Sequence, residues 1–237
     1  MATPSVTRAE SVYQALRRDV LAGRLRPGTK LRFAALCTRY EASMSVLREG
    51  LSRLAEQGLV VAEPQHGYHV TPLSVEDLRD LTEARLALEG LVLRRAIEEG
   101  DVAWESQLVA AHHTLERTPV LDADDTALFN EDWTAAHALY HSALLAGCTN
   151  GRLRTMAASL RDSAELYRRW SRRLGHDEAR DIPGEHRAIV AAVLERDADR
   201  AVALLTAHIA RTTDVLVRAP LDDDGDGGFS AVAPFEV

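Results

Sequence analysis

Residues 41–71 read EASMSVLREGLSRLAEQGLVVAEPQHGYHVT, and a change of rhythm inside this stretch decides the fold. In its first half Leu47, Leu51 and Leu54 recur at helical spacing. Ser43 stands where a helix N-cap accepts free backbone N–H groups, and Gly58 can end the helix in a left-handed turn. The spacing predicts a helix over about 44–57. Beyond Gly58 the period changes: Leu59-Val60-Val61-Ala62-Glu63 reads as a strand, Pro64-Gln65-His66-Gly67 as a turn and Tyr68-His69-Val70-Thr71 as a second strand.

Upstream, Val12, Ala15, Leu16, Val20 and Leu21 share one face of a helix predicted over 8–22, which Gly23 stops and Pro27-Gly28 turns. A short helix over about 32–40 places Phe33, Leu36 and Cys37 on one face. Three helices followed by a hairpin make a winged helix-turn-helix, expected to occupy 8–72. Downstream, Pro72 closes that unit and Ser74 caps a new helix with Glu76 and Asp77 in its first turn. From there the pattern is helical near 75–99, 102–117, 125–147, 151–174, 178–196 and 198–217, with no strand-like run. The expected fold is mainly α: the winged unit followed by an all-helical bundle of six or seven helices over 74–217. The acidic, Gly-rich stretch 218–237 is expected to be a disordered tail.

The charge is distributed unevenly. Residues 1–72 hold ten basic and six acidic side chains, or +4, so that of the formal net charge of −8 the remainder carries −12. A basic N-terminal part on an acidic body fits a protein that meets phosphate with its first unit only. Two cysteines, Cys37 and Cys148, form no C-x-x-C pair and imply no disulfide framework. No run approaches the ~18 apolar residues of a membrane span, and MATPSVTRAES lacks the apolar core of a signal peptide. A cytoplasmic protein without a membrane segment is expected.

Within the winged unit the predicted recognition helix offers its first turn to the major groove. Ser43 and Ser45 can bond phosphate, Val46 lies on the same turn, and Arg48 can fork onto a guanine edge or clamp a phosphate. Arg53 adds positive field, and His66-Gly67 at the hairpin tip can lie over the backbone or minor groove. In the helical part four of the nine histidines form a pattern. His137 and His141 are four apart on one helix face; His186 and His208 fall on two helices that a short turn makes antiparallel. Four imidazoles converging in a bundle make a metal site; the alternative is a set of core histidines bonded to one another or to a carboxylate ligand. Arg85 between Leu81 and Leu88 can grip a carboxylate, or pair with Glu89 one turn on; Tyr167 is a second ligand-facing candidate or an ordinary core tyrosine.

These residues resemble a known family. Gly23-Arg24-Leu25-Arg26-Pro27-Gly28-Thr29-Lys30-Leu31, the run Val46–Leu54 with Gly58-Leu59-Val60, and Gln65–Val70 are similar to the turn, recognition helix and wing of GntR-type regulators. Glu83-Ala84-Arg85-Leu86-Ala87-Leu88-Glu89 resembles the start of the ligand-binding (FCD) domain of the FadR-like branch. Within it, Lys30-Leu31-Arg32, Arg39-Tyr40, Trp104-Glu105 and His137-x-x-Tyr140-His141 resemble the carbon-starvation-linked, glutarate-responsive repressors most closely. The resemblance implies a homodimeric repressor that binds double-stranded operator DNA and senses a small carboxylate. It also implies a divalent metal held by three histidines, matching His141, His186 and His208, and an Asp or Asn, where this chain has His137. A shell of four neutral imidazoles leaves the ion its full charge and favours Zn²⁺ or Ni²⁺ over Mg²⁺ or Ca²⁺. Met44 and Ala34 replace charged residues common in the family, so the base preference of typical members does not transfer. The rival reading, a metal-dependent hydrolase or lyase on the same histidines, needs a general base beside metal-bound water. No H-E-x-x-H occurs, and Glu185 is the only carboxylate adjacent in sequence.

Overall fold

A computed structural model describes residues 7–22, 24–121, 123, 129–174 and 180–218. The tail beyond 218, Gly23 and the loop holding His176 lie outside the described residues. Three helices, α1 (Arg8–Leu21), α2 (Phe33–Tyr40) and α3 (Met44–Glu56), precede an antiparallel hairpin of β1 (Val60–Glu63) and β2 (Gly67–Val70). Thr7 and Ser43 cap α1 and α3 by accepting from Glu10 and Val46 backbone N–H groups, the local reason these helices start where they do. Glu41 takes a left-handed φ of 47° to turn α2 into α3, and the Arg8 guanidinium donates to the Tyr40 and Glu41 carbonyls (both 2.9 Å). Gly50 lets α3 approach α1 closely: a Cβ there would stand 3.2 Å from a Leu16 methyl. Gln65 and Gly67, at φ 66° and 95°, close the hairpin, whose register pairs Glu63 with Gly67 and so puts Gly67 in the strand rather than the turn.

The rest is helical: α4 (Val75–Glu99), α5 (Val102–Arg117), α6 (Glu131–Leu145), α7 (Gly151–Leu174), α8 (Ile182–Leu194) and α9 (Ala198–Arg218). α4 packs along α9 and α7, α5 on α6, and α8 on α9. Two boundaries differ from the periodic reading. α6 starts at Glu131 because Asn130 caps it and Phe129 is drawn into a bridge with Leu121. α8 starts at Ile182 because Asp181 caps it, accepting from the Gly184 N–H, with Pro183 in the first turn.

Two cores result. One gathers Leu16, Val20, Leu47, Leu51, Leu54 and Val70 of the winged unit, the other Leu93, Trp104, Leu108, Tyr140, Ile189 and Leu205 of the bundle. The first core does not end at the winged unit: Leu78 of α4 and Leu166 and Tyr167 of α7 belong to it. Polar contacts reinforce the junction. Arg17 pairs with Asp162 (2.7 Å), and Ser163 donates to the Gln57 carbonyl (2.9 Å). The Tyr167 hydroxyl meets Asp77 and the Ser74 backbone.

Candidate functional site

The sequence-predicted site residues fall on two separate surfaces. At the first turn of α3, Ser43, Ser45 and Arg48 are exposed and Val46 is half-buried, so the turn stands out toward solvent. The Ser43 and Ser45 hydroxyls lie 3.0 Å apart, and the Arg48 guanidinium sits over the Phe33 ring (5.3 Å), an aromatic rest that limits its wandering. Met44, in place of the family's charged residue, is 53% exposed on the same turn. His66 at the hairpin tip is exposed, and a Cβ at Gly67 would meet nothing within 4 Å, so the tip is open to close approach. Arg53 differs. Its guanidinium pairs with Glu10 (2.8 Å) and lies 3.7 Å over the Tyr13 ring, so it ties α3 to α1 instead of facing outward with Arg48.

The second surface is internal. His137 and His141 of α6, His186 of α8 and His208 of α9 bring one ring nitrogen each to within 4.8 Å of the others. His141, His186 and His208 are buried. The His137 and His141 Nε2 atoms are 3.2 Å apart. Two imidazole nitrogens on one tetrahedral ion at about 2.05 Å each stand ~3.3 Å apart, so this spacing is what shared coordination requires. His208 Nδ1 lies 2.7 Å from Glu185 Oε2; a carboxylate there can only accept, so Nδ1 carries the proton and Nε2 keeps its lone pair. Buried His141 Nδ1 and His186 Nε2 have no hydrogen-bond partner. An ion would give buried His186 Nε2 the partner it lacks, so the donor set fits a metal ion; His141, which meets His137 through Nε2, would keep its Nδ1 unpartnered with the ion bound.

The electrostatics agree. Burial, reinforced by neighbouring rings and guanidinium groups, holds the His137 and His141 pKa well below the ordinary imidazole value. Burial likewise takes His186 down to about 2 and lowers His208, the latter against the pull of Glu185. All four are neutral near pH 7 and present lone pairs. Glu185 is itself held at about 2: bonds from His208 and Arg180 outweigh the cost of burying the carboxylate. Arg180 grips Glu185 (2.7 Å) while also donating to the His208 carbonyl and Thr212.

His137, His141 and His208 line one end of a cavity of about 710 Å³, and the His186 ring packs against all three with centroids 5.3, 5.6 and 4.8 Å away. Trp133 stacks on both Phe129 and His137, with ring centroids 5.2 and 4.8 Å apart, and Arg168 caps this aromatic wall while holding Glu165 through two bonds. Arg85 lines the cavity and pairs with buried Glu89 (2.7 Å), the intra-bundle partner that the sequence offered for it. Arg161 is the residue sequence reasoning missed. It lines the cavity, donates to the His141 carbonyl (2.6 Å), and has its pKa pushed down by burial. On a helix as rich in arginine as α7 no spacing marks it; only its bond to the His141 carbonyl of α6, a tertiary contact, does. Tyr167 borders the cavity, but its hydroxyl is committed to Asp77 and Ser74; that commitment makes it a strut at the domain junction and leaves only its ring for a ligand.

Comparison with known proteins agrees with this division. Residues 8–70 match the family described as bacterial regulatory proteins, gntR family, and residues 80–211 match the FCD domain. The HTH-type transcriptional regulator BphR of Paraburkholderia xenovorans is 37% identical over 211 residues, covering 87% of this chain and 84% of the relative. The HTH-type transcriptional repressor GlaR of Escherichia coli is 34% identical over 210 residues, covering 87% and 94%. Among solved structures, E. coli McbR/YncC superposes with a TM-score of 0.73 at 18% identity over 90% of this chain and 98% of that one, a likeness of fold. The family and these relatives are regulators, so the hydrolase reading of the histidines falls away. Among the described residues no helix is long and apolar enough to cross a membrane.

Proposed function

We propose, on the premise that this chain belongs to the GntR family and is a DNA-binding transcription regulator with a ligand-binding FCD domain, that a small carboxylate bound at the four-histidine end of the cavity controls its grip on operator DNA. The observation that carries this reading is the convergence of four neutral imidazoles, three of which line the same cavity as Arg161 and Arg85. His137, His141, His186 and His208 would hold a divalent ion, zinc or nickel by the softness of the donors, and that ion would offer an anionic ligand a full positive charge. Glu185 orients His208, and Arg161 and Arg85 supply forked donors for carboxylate oxygens. A dicarboxylate such as glutarate fits this chemistry.

DNA is read by the first turn of α3. Ser43 and Ser45 bond phosphate, Arg48 reaches a base edge or a phosphate, and His66-Gly67 of the wing meets the backbone. A homodimer places two such turns in successive major grooves of a near-palindromic site. The ligand acts by its differential affinity for two orientations of the winged unit, and release of the operator is the expected sign.

The test is a fluorescence-polarisation titration of a duplex from the chain's own upstream region, with the zinc-loaded protein, over a salt series and a panel of organic acids. A steep salt dependence with dissociation by a carboxylate is expected. Binding that ignores both salt and every acid in the panel would refute the reading.

A further inference from the structure

Met44 is the first residue of α3 after the Ser43 cap, at the end of the helix that the major groove receives. Side chains on a helix tilt toward its N-terminus, so one at the first position projects past the helix end. The other large apolar side chains of α3 behave differently. Leu47, Leu51 and Leu54 are fully buried in the core of the winged unit and Val46 is half-buried, whereas Met44 is exposed. An unbranched apolar side chain therefore leads the recognition helix, and the core of the winged unit does not account for it.

The rest of the exposed face of α3 has few groups with which to tell bases apart. The Ser43 hydroxyl accepts from the Val46 N–H (3.5 Å) and shares a bond with the Ser45 hydroxyl (3.0 Å), so both are held at the helix end. Ser52, further along, bonds the Tyr68 hydroxyl of the wing (3.2 Å). Arg48 brings a fork of donors, and exposed Glu49 brings acceptors only. Met44 has no hydrogen to donate and its thioether is a weak acceptor, so what it offers a base is apolar contact. In the major groove thymine alone presents an apolar group, its C5-methyl. A polar base edge in the same place would lose its water and gain no hydrogen bond, which costs affinity.

We infer that Met44 is a specificity-determining residue and that it selects thymine, through contact of its side-chain end with the C5-methyl group, at one position in each half of the operator. The inference rests on the DNA-binding reading above and adds a base to it. A basic residue at the same place would fork onto guanine instead. The operator of this chain therefore differs at that position from the site of a relative with arginine there.

The test uses the full-length protein and double-stranded DNA. Tight-binding duplexes are selected from a randomised pool, and each thymine of a selected duplex is then replaced by deoxyuridine, which removes the methyl group and keeps every hydrogen-bonding group. At one thymine in each half-site the replacement is expected to weaken binding about two- to fourfold, the upper figure being the worth of one fully buried methyl. At the same position 5-methylcytosine is expected to bind more tightly than cytosine. Met44→Ser, a change to an exposed side chain, is expected to bind the thymine and deoxyuridine duplexes equally. A scan with no methyl-dependent thymine, or a methyl penalty that Met44→Ser retains in full, overturns the inference and leaves the DNA-binding reading standing. A protein that retains no duplex from the pool overturns both.

Discussion

Replacing Glu185 by Gln isolates what a carboxylate behind a ligating histidine contributes. In the parent, Glu185 Oε2 accepts from His208 Nδ1 at 2.7 Å and from Arg180 at 2.7 Å, and its pKa is held at about 2, so the charge is present at every pH the protein meets. Glutamine keeps the shape and one acceptor but loses the charge. The His208 N–H bond changes from a charge-assisted to a neutral one, a loss of about 1.5 kcal/mol. Orienting carboxylates of this kind carry about 10- to 100-fold in metal affinity, or ~1.4–2.7 kcal/mol, and the two figures meet near the lower end. Arg180, largely buried, keeps the Thr212 hydroxyl (3.0 Å) and the His208 carbonyl (3.0 Å) but loses its carboxylate, so the apo protein is expected to lose about 3 kcal/mol. The assay is zinc affinity by competition with a chromophoric chelator, alongside the apo melting temperature. A tenfold or greater drop in zinc affinity is expected, in a protein that melts lower than the parent but still cooperatively. Zinc affinity within threefold of the parent would show that Glu185 does not serve the metal and that the His208 assignment is mistaken.

Three further outcomes follow from the same geometry. Arg48→Ala is expected to weaken specific DNA binding by about 1–3 kcal/mol if the side chain reads a base, whereas a phosphate contact lowers the salt slope by about one; polarisation titrations at several salt concentrations check this. The metal-free protein should lose stability on acidification. Its buried histidines have folded pKa values below the ordinary one, so below about pH 6.5 the unfolded chain takes up protons that the folded chain refuses. Each histidine then costs up to ~1.4 kcal/mol per pH unit, and the apo melting temperature should fall steeply from pH 7 to 5; a flat profile would count against neutral buried imidazoles. Gly147→Ala is expected to destabilise the bundle by about 1–3 kcal/mol in chemical denaturation, because the added Cβ would lie 2.5 Å from the Ala96 carbonyl and 2.8 Å from the Trp104 ring.

The sequence by itself determined the winged unit and the helical character of the rest. Caps such as Ser43 and Ser74, the leucine spacing of α3 and the hairpin at Gln65–Gly67 act within a few residues, so local chemistry alone places them. It also marked His137, His141, His186 and His208, since one helix face and two helices joined by a short turn leave few other arrangements. Tertiary packing decided the rest. The true start of α6 depends on a bridge between Leu121 and Phe129, and Arg53 proved to be a tie to Glu10 and Tyr13 on another helix. Tyr167 proved to be a strut on Ser74 and Asp77, Arg161 a donor beside His141, and Arg18 a wall of the cavity. Each of these depends on which helix faces which, and side-chain periodicity records only that a face is covered, not by what.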